Sequence, residues 1–425
     1  MPLPFESDQP ELGSLTIRLP NAGPAGFSPA GPSGVQFDRF IAYEVSSNYL
    51  TPTDGWSFTL AADMLSDNDR NALIEGAKVE MSIDGQVQLT GYIDTIQAHG
   101  SRSAGSLLTV EGRDWYSLAV DGHIDPSIRF KPSQTLADVV EQTLGPFGVT
   151  DFAIDAIANR NAITGRIYGT PTSKKGKPLK SYVLHEIKPY QQEGAHAFVS
   201  RVAQRFGLWI RPAADGKTVI VGQPDFDQPS RYGIRLRNDG SQNNNVTDWD
   251  VKASRGDQPS VIFCEGFGGG GTFASNTLRT YIVNPLVVSP IADIDALIKR
   301  YPGIAQTAVP LPALGSAIAG GPIPEAFIRA LYLKDTESHT LAELQAYARR
   351  QLALHMRKSL SAHYTIEGHK LGGQPVAIDT IADVDDDLGG VKIPLWILDR
   401  RFSKRAGEEG TKTVIEGIRP GTLQF

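Results

Sequence analysis

Between Lys78 and Asp121 the chain reads KVEMSIDGQVQLTGYIDTIQAHGSRSAGSLLTVEGRDWYSLAVD, and this stretch constrains the fold more than any other. Val79, Met81 and Ile83 alternate with polar residues, which sets one face of a pleated ribbon against a core. Asp84-Gly85 is a tight-turn dipeptide that sends Val87 and Leu89 back antiparallel. Gly91-Tyr92-Ile93-Asp94 opens a third strand, and a Gly/Ser loop from Gly100 to Gly105 returns the chain through Leu108 and Val110. The fourth strand ends in Glu111-Gly112-Arg113-Asp114-Trp115. Four short strands are predicted, with no nucleophile, base or metal cluster among them.

The flanks extend this β texture. Residues 1–11, rich in Pro and acids, read as a mobile arm. Leu15, Ile17 and Leu19 alternate as a strand, NAGPAGFSPAGPSG is a loop, and Phe37 to Val45 and Trp56 to Ala61 supply two more strands. Asp67 to Glu75 reads as a turn or two of helix. Gly 43 and Pro 28 in 425 residues fit a turn-rich β protein. Residues 12–121 are therefore expected to form a β-barrel.

From 122 to 240 the pattern is mixed α/β. Thr135 caps a helix with Leu136, Val139, Val140 and Leu144 on one stripe, stopped by Gly145-Pro146. GAHAFVSRVAQRFG is a second amphipathic helix, followed by Leu208-Trp209-Ile210, an Asp215-Gly216 turn and Thr218 to Val221. Lys174, Lys175, Lys177 and Lys180 read as a solvated loop, with an anionic partner as the alternative. Val246 to Val251 and Ser260 to Cys264 are read as strands of a second barrel, made of 241–264 and 361–425. Its later strands are Tyr364 to Ile366 running into Gly368-His369, Pro375 to Asp379, Leu395 to Leu398 and Thr413 to Gly417. Residues 265–360 read as an insertion. It opens on a glycine hinge, Gly266 to Gly271, which lacks the Lys-Ser/Thr of a phosphate loop. It then carries a helix capped by Ser289 and Pro290, an apolar loop, and a long helix starting at Thr340 with Glu343 completing a capping box. Leu344, Ala348, Leu352 and Met356 form that helix's buried seam.

The order of hydrophobic strand, Asp84-Gly85 turn, strand, Gly91-Tyr92-Ile93-Asp94, Gly/Ser loop, strand and Gly112-Arg113-Asp114 resembles the first barrel of the baseplate hub proteins of contractile phage tails, the Mu-like and T4-like hubs, relatives of the base of the type VI secretion spike. The helix, Phe-Gly-Leu-Trp and Asp-Gly turn after Gly194 resembles the same family. So does the Gly368-His369 step with the basic turn after Leu398. The resemblance implies a mainly β fold with α+β parts: two tube-protein-like β-barrel domains, a mixed α/β domain and a loop-rich insertion. It further implies a structural, non-enzymatic protein of the virion tail baseplate of a myovirus-like particle, assembled in the host cytoplasm. As a homotrimer it would adapt a threefold central spike to a sixfold tail tube, touch tube-initiator and wedge proteins, and pass genomic DNA without binding it specifically. No cofactor is implied.

The residues themselves exclude several chemistries. Lys+Arg 41 against Asp+Glu 47 gives a net charge of −6, unsuited to wrapping nucleic acid but suited to a channel that DNA slides through. The single cysteine, Cys264, excludes an internal disulfide. No apolar run approaches the roughly 18 residues a membrane helix needs, and the N-terminus lacks secretory-signal character. The eight histidines are scattered, without an H-E-x-x-H frame, and there is no G-x-S-x-G elbow. Asp383, Asp385 and Asp387 are the best metal candidates, since alternate aspartates can share a calcium. However, Gly389 falls one place late for an EF-hand and Pro394 occupies the closing position. A charged hairpin tip is the plainer reading. Two alternatives stand beside the hub: a tail-associated cell-wall or polysaccharide hydrolase, and a host-glycan binding module using Trp56, Trp115 or Trp396.

Overall fold

The computed structural model describes residues 10–20, 34–101, 105–130, 136–154, 188–204, 208–239, 243–267, 277–288, 295–296, 298–300, 304–307, 323–324, 329–335, 338, 341–407 and 410–423. Its first half contains β1 (Leu15–Leu19), β2 (Val35–Phe37), β3 (Ala42–Asn48), β4 (Gly55–Ala61), helix α1 (Asp67–Ala72), β5 (Lys78–Ile83), β6 (Gln86–Ser101) and β7 (Gly105–Asp114). The alternation seen in the sequence is the alternation of burial: β4 and β5 each repeat half-buried and buried. Where four strands are expected from Lys78 onward, three form. The return strand and the Gly91 strand are one strand of 16 residues, β6, broken by register shifts between Met81 and Ser82 on its partner and between Ile93 and Thr95. Each bulge inserts one residue and reverses the phase of the side chains, so a continuous strand reads as two. Ser66 caps α1 in a capping box with Asp69.

The chain then builds a small α/β layer: α2 (Ser117–Asp121), α3 (Leu136–Leu144), β8 (Asp151–Ile154), α4 (Ala195–Gln204), β9 (Trp209–Pro212) and β10 (Thr218–Gly222). β9 and β10 form the expected hairpin, and β8 adds parallel to β10. Val139, Val140 and Leu144 of α3 pack with Ala195, Phe198, Val199 and Val202 of α4 in one core.

The second half contains β11 (Ser230–Leu236), β12 (Val246–Ala253), β13 (Val261–Phe267), β14 (Thr277–Val283), β15 (Ala305–Gln306), β16 (Ala330–Asp335), helix α5 (Leu341–Met356), β17 (Leu360–Glu367), β18 (Ile381–Asp386), β19 (Pro394–Lys404) and β20 (Lys412–Ile418). Four expectations are corrected here. Ser260 to Cys264 does not join a second barrel. As β13 it pairs with β14 and β16 in a separate four-stranded sheet, because Ile262 and Cys264 are needed opposite Leu344, Ala348 and Leu352 of α5. Gly266, expected to open a hinge, lies inside that strand opposite Leu278 and Asp335. A Cβ there would stand 3.1 Å from Leu344 Cδ1. β11, expected on the mixed side of residue 240, instead pairs parallel with β18 in the large sheet. The Pro375 strand stops at once, and the next begins at Ile381, after Asp379 takes a positive φ of 58°. Gly268–Gly271, the lysine segment, Ser289–Ile294 and Thr340 lie outside the described residues.

The mainly β expectation with α+β parts holds. The two halves are joined edge to edge. They share one curled 13-stranded sheet in the order β12-β17-β20-β19-β3-β4-β7-β6-β5-β1-β2, with β18 and β11 branching from β19. The joint is the antiparallel pairing of Asp399–Lys404 in β19 with Tyr43–Asn48 in β3. One continuous hydrophobic cluster runs beneath it, from Leu15 and Phe58 through Phe402 to Tyr364 and Ile415. Among the described residues, no helix is long and apolar enough to cross a membrane.

Candidate assembly site at the joint of the two halves

The residues carrying the sequence motifs gather in two clusters on either side of the β3–β19 joint. The first is built on the Asp84-Gly85 turn, where φ of 47° and 81° gives the left-handed pair a two-residue hairpin needs. The Asp84 carboxylate accepts the Ser14 N–H at 2.8 Å and an ion pair from Lys370 Nζ at 3.1 Å. The Ser14 hydrogen bond, more than the lysine, holds that carboxyl below its ordinary range. Lys370 also reaches Glu11 at 2.7 Å, and Pro10–Glu11 pairs with Lys370–Leu371. The expected mobile arm is thus tied down at its end.

Gly368 and His369 complete this cluster. Gly368 has φ of 81°, and a Cβ would fall 2.2 Å from the Glu11 carbonyl oxygen, so only glycine fits. The His369 ring is fully buried between Tyr43, whose OH lies 2.6 Å from Nε2, and Thr413, whose Oγ1 lies 3.1 Å from Nδ1. Thr413 spends its own hydroxyl hydrogen on the Gly368 carbonyl, which makes it an acceptor from Nδ1–H. Nε2 then accepts from Tyr43. The ring is a neutral structural clamp, and burial pushes its pKa down to about 4.

The second cluster holds Gly91, Tyr92, Asp94, Gly112, Arg113 and Asp114. β6 and β7 approach so closely that a Cβ on Gly91 would lie 2.1 Å from the Arg113 carbonyl oxygen. One on Gly112 would lie 2.1 Å from the Tyr92 carbonyl oxygen and 2.4 Å from the Trp56 ring. Arg113 donates Nε to Asp94 at 2.8 Å and its two terminal nitrogens to Asp121 at 3.0 and 2.7 Å, binding the ribbon to α2. The Asp114 carboxylate is buried and accepts the N–H groups of Asp54 at 3.0 Å and Tyr116 at 3.1 Å. Burial first, and then the neighbouring Asp54 charge, push it up to about 8. Burial pushes Asp54 up to about 6. Tyr92 packs on the α/β core, and Trp115 and Thr90 donate to the carbonyls of Ala213 and Ala214. This cluster is a bracket between the sheet and the α/β layer.

Arg400 stands at the joint itself, and its place was hidden in the sequence. Expected in a basic turn after Leu398, it lies within β19, 4 % exposed. It donates to Ser47 Oγ at 2.8 Å, Gln88 Oε1 at 2.7 Å and the Val376 carbonyl at 2.8 Å, and rests 4.2 Å over the Phe402 ring. Asn48 Nδ2 donates to Asp399 at 2.8 Å beside it. Arg400 therefore grips both halves, and burial lowers its pKa to about 10. A bulge at Leu398 reverses the phase of the strand, so the face of Leu395 and Ile397 continues into Arg400 and Phe402, which a period of two in the sequence does not show.

The aspartate run is spoken for by cations. Arg235 holds Asp383 at 3.1 Å, Arg237 holds Asp385 at 2.6 Å, and Lys392 holds Asp387 at 2.5 Å. Asp386 points inward to Tyr364. Among the described residues no group of three or more His, Cys, Asp or Glu side chains is placed to hold a metal. Cys264 is buried, its thiol pushed up to about 12. Trp56, Trp115 and Trp396 are all core residues, which removes the aromatics the glycan reading relied on.

Residues 33–114, which carry the hairpin turn and the second cluster, match the model of the family described as Mu phage baseplate assembly protein GpP-like, N-terminal. The likeness to that family lies in this N-terminal segment. Over nearly the full length the chain is similar in fold to the tail protein from Neisseria meningitidis MC58, at TM-score 0.68 and 18 % identity, covering 97 % of this chain and 98 % of that one. It is also similar to the 43 kDa tail protein of prophage MuSo2 from Shewanella oneidensis, at TM-score 0.64 and 17 % identity, covering 96 % and 99 %. Prophage tail protein gp18 from Listeria monocytogenes EGD-e follows at TM-score 0.52 and 9 % identity, covering 95 % and 94 %. No functionally curated protein matches the sequence. The GpP-like match agrees with the baseplate-family resemblance read from the motifs, and the neighbours share the fold.

Proposed function

We propose that this chain is a structural baseplate hub of a contractile tail, acting as three copies in a ring between spike and tail tube. The observation that carries this reading is the single sheet running through both halves with one polar face. On β3, β4 and β7 that face bears Glu44, Ser46, Ser57, Thr59, Thr109 and Glu111; on β19 it bears Asp399, Arg401 and Ser403. The side chains are short, acids exceed bases, and a shallow groove of about 430 Å³ lies along them by Gly55 and Arg113. Such a face repels a polyanion on balance, and its arginines are already engaged, Arg401 with Glu44 and Arg113 with Asp94 and Asp121, which suits the wall of a DNA conduit.

Two tube-like modules per chain, three chains per ring, reconcile threefold and sixfold neighbours, and the α/β layer is left to meet spike or wedge. The particle would carry the protein in its tail baseplate, assembled in the host cytoplasm. The buried motif residues support a scaffold rather than a reaction centre. Light scattering on the purified chain tests this: a mass of about 138 kDa, three times 45.9 kDa, is expected. A monomer at every concentration, with or without spike and tube proteins, overturns it.

A further inference from the structure

The large sheet has two long edges with no neighbouring strand among the described residues. One is β12, its terminal strand, paired only to β17 and exposed along Thr247–Asp250. The other is the outer side of β6 beyond the bulge at Asp94. β5 pairs no further than Tyr92, a last pair of bonds joins Ile93 to Gly76 and Ala77, and from Thr95 to Gly100 the strand pairs only with β7. Open edges of this length invite another strand.

We propose that β12 of one copy pairs with the distal edge of β6 of the next, joining the sheets head to tail. This rests on the ring reading above and names its interface. Length is the first argument. β12 has 8 residues and the open run of β6 is nearly as long, whereas β2, the opposite terminal strand, has 3. The faces agree as well. Trp249 and Val251 lie on the core side of β12, opposite Tyr364 and Ala362. Ile96 and Ala98 lie on the core side of β6, opposite Val110 and Leu108. Pairing in phase therefore sets apolar against apolar and covers Trp249, 42 % exposed, and the nearby Leu388, 47 % exposed. Leu388 is placed there by Gly389, where a Cβ would sit 2.7 Å from Val251. A slip of one residue would reverse every side chain and lose this match. On the polar side β12 carries Asp248 and Asp250, while β6 presents Thr95, Gln97 and His99, none of them acidic. Each copy has one edge of each kind, so the contact is heterologous and closes into a ring when its rotation divides the circle.

Cysteine cross-linking of the full chain tests the pairing, since native Cys264 is buried and silent. Single substitutions at Asp248, Asp250 or Lys252 are mixed with single substitutions at Thr95, Gln97 or His99 and oxidised. At least one mixture, such as Asp250→Cys with Gln97→Cys, is expected to give covalent dimers that neither variant gives alone. The corresponding double variant should then give covalent trimers. Cross-linking of a single variant with itself means an isologous contact and overturns the proposal. No cross-link in any combination, from protein that light scattering shows to be trimeric, also overturns it while leaving the hub standing. A monomer throughout removes the ring and this interface together.

Discussion

Glycine at 112 is required by distance alone. Gly112→Ala drives a methyl into the Tyr92 carbonyl and the Trp56 ring and should cost more than about 3 kcal/mol, whereas Gly85→Ala meets no atom within 4 Å and should cost only about 1 kcal/mol of φ strain. Urea unfolding of the two variants side by side checks the contrast; equal losses would contradict it. The buried titratable groups act in opposite directions. His369 has a folded pKa of about 4 against 6.5 unfolded. Between those values the unfolded chain binds a proton that the folded chain refuses, so this residue lowers stability as pH falls from about 6.5 to 4. Asp114, at about 8 against 3.8, and Asp54, at about 6, keep protons that the unfolded chain has lost, so they lower stability as pH rises. Above about pH 6.5 Asp114 acts nearly alone. The urea midpoint of the native chain should decline from pH 6.5 to 8, and Asp114→Asn should abolish the decline; an unchanged slope in the variant would contradict the assignment. Because Asp383, Asp385 and Asp387 already hold Arg235, Arg237 and Lys392, millimolar calcium should leave the melting temperature where EDTA leaves it. A rise of several degrees would restore the calcium reading.

At the scale of elements, β19 decides the architecture, because one strand serves β20, β18 and β3. Arg400→Ala strips Ser47, Gln88 and the Val376 carbonyl of a shared donor across the joint. It should cost about 3 kcal/mol, and Arg400→Lys should recover only part of that, since one ammonium cannot span the three acceptors. Urea midpoints of the two variants give the comparison, and a lysine variant as stable as the native chain would show the fork to be dispensable. What was legible in the sequence follows the same physics. Short-range alternation in β4 and β5, the Asp84-Gly85 turn and the seam Leu344-Ala348-Leu352-Met356 are local, and they form as read. The length of β6 was masked by its bulges, which break the period of two. Pairing partners were not legible. Val261–Cys264 is a continuous apolar run that reads the same whether it faces a barrel or α5, and the parallel match of β11 to β18 is set by contacts about 150 residues away. The site was legible as glycines and charges in order. Tyr43, Asp54 and Arg400 joined it only through long-range packing.

On the scale of the whole molecule, the joined sheet explains why motifs so far apart in sequence converge. Asp84-Gly85 meets Gly368-His369 through Lys370 and the Glu11–Ser14 segment, which with Arg400 fixes the angle between the halves, while Arg113 ties the ribbon to the α/β layer. A fixed angle is what a ring of repeated sheets demands, because a hinged joint would let the two modules drift from their quasi-equivalent places. The direct test of this account is electron microscopy of the purified full-length protein at the concentration where light scattering reads a trimer. The account predicts closed rings of three chains and six similar lobes around an open centre, with the polar face of the joined sheet turned inward. Compact trimers without an opening, or rings that turn that face outward, would contradict it.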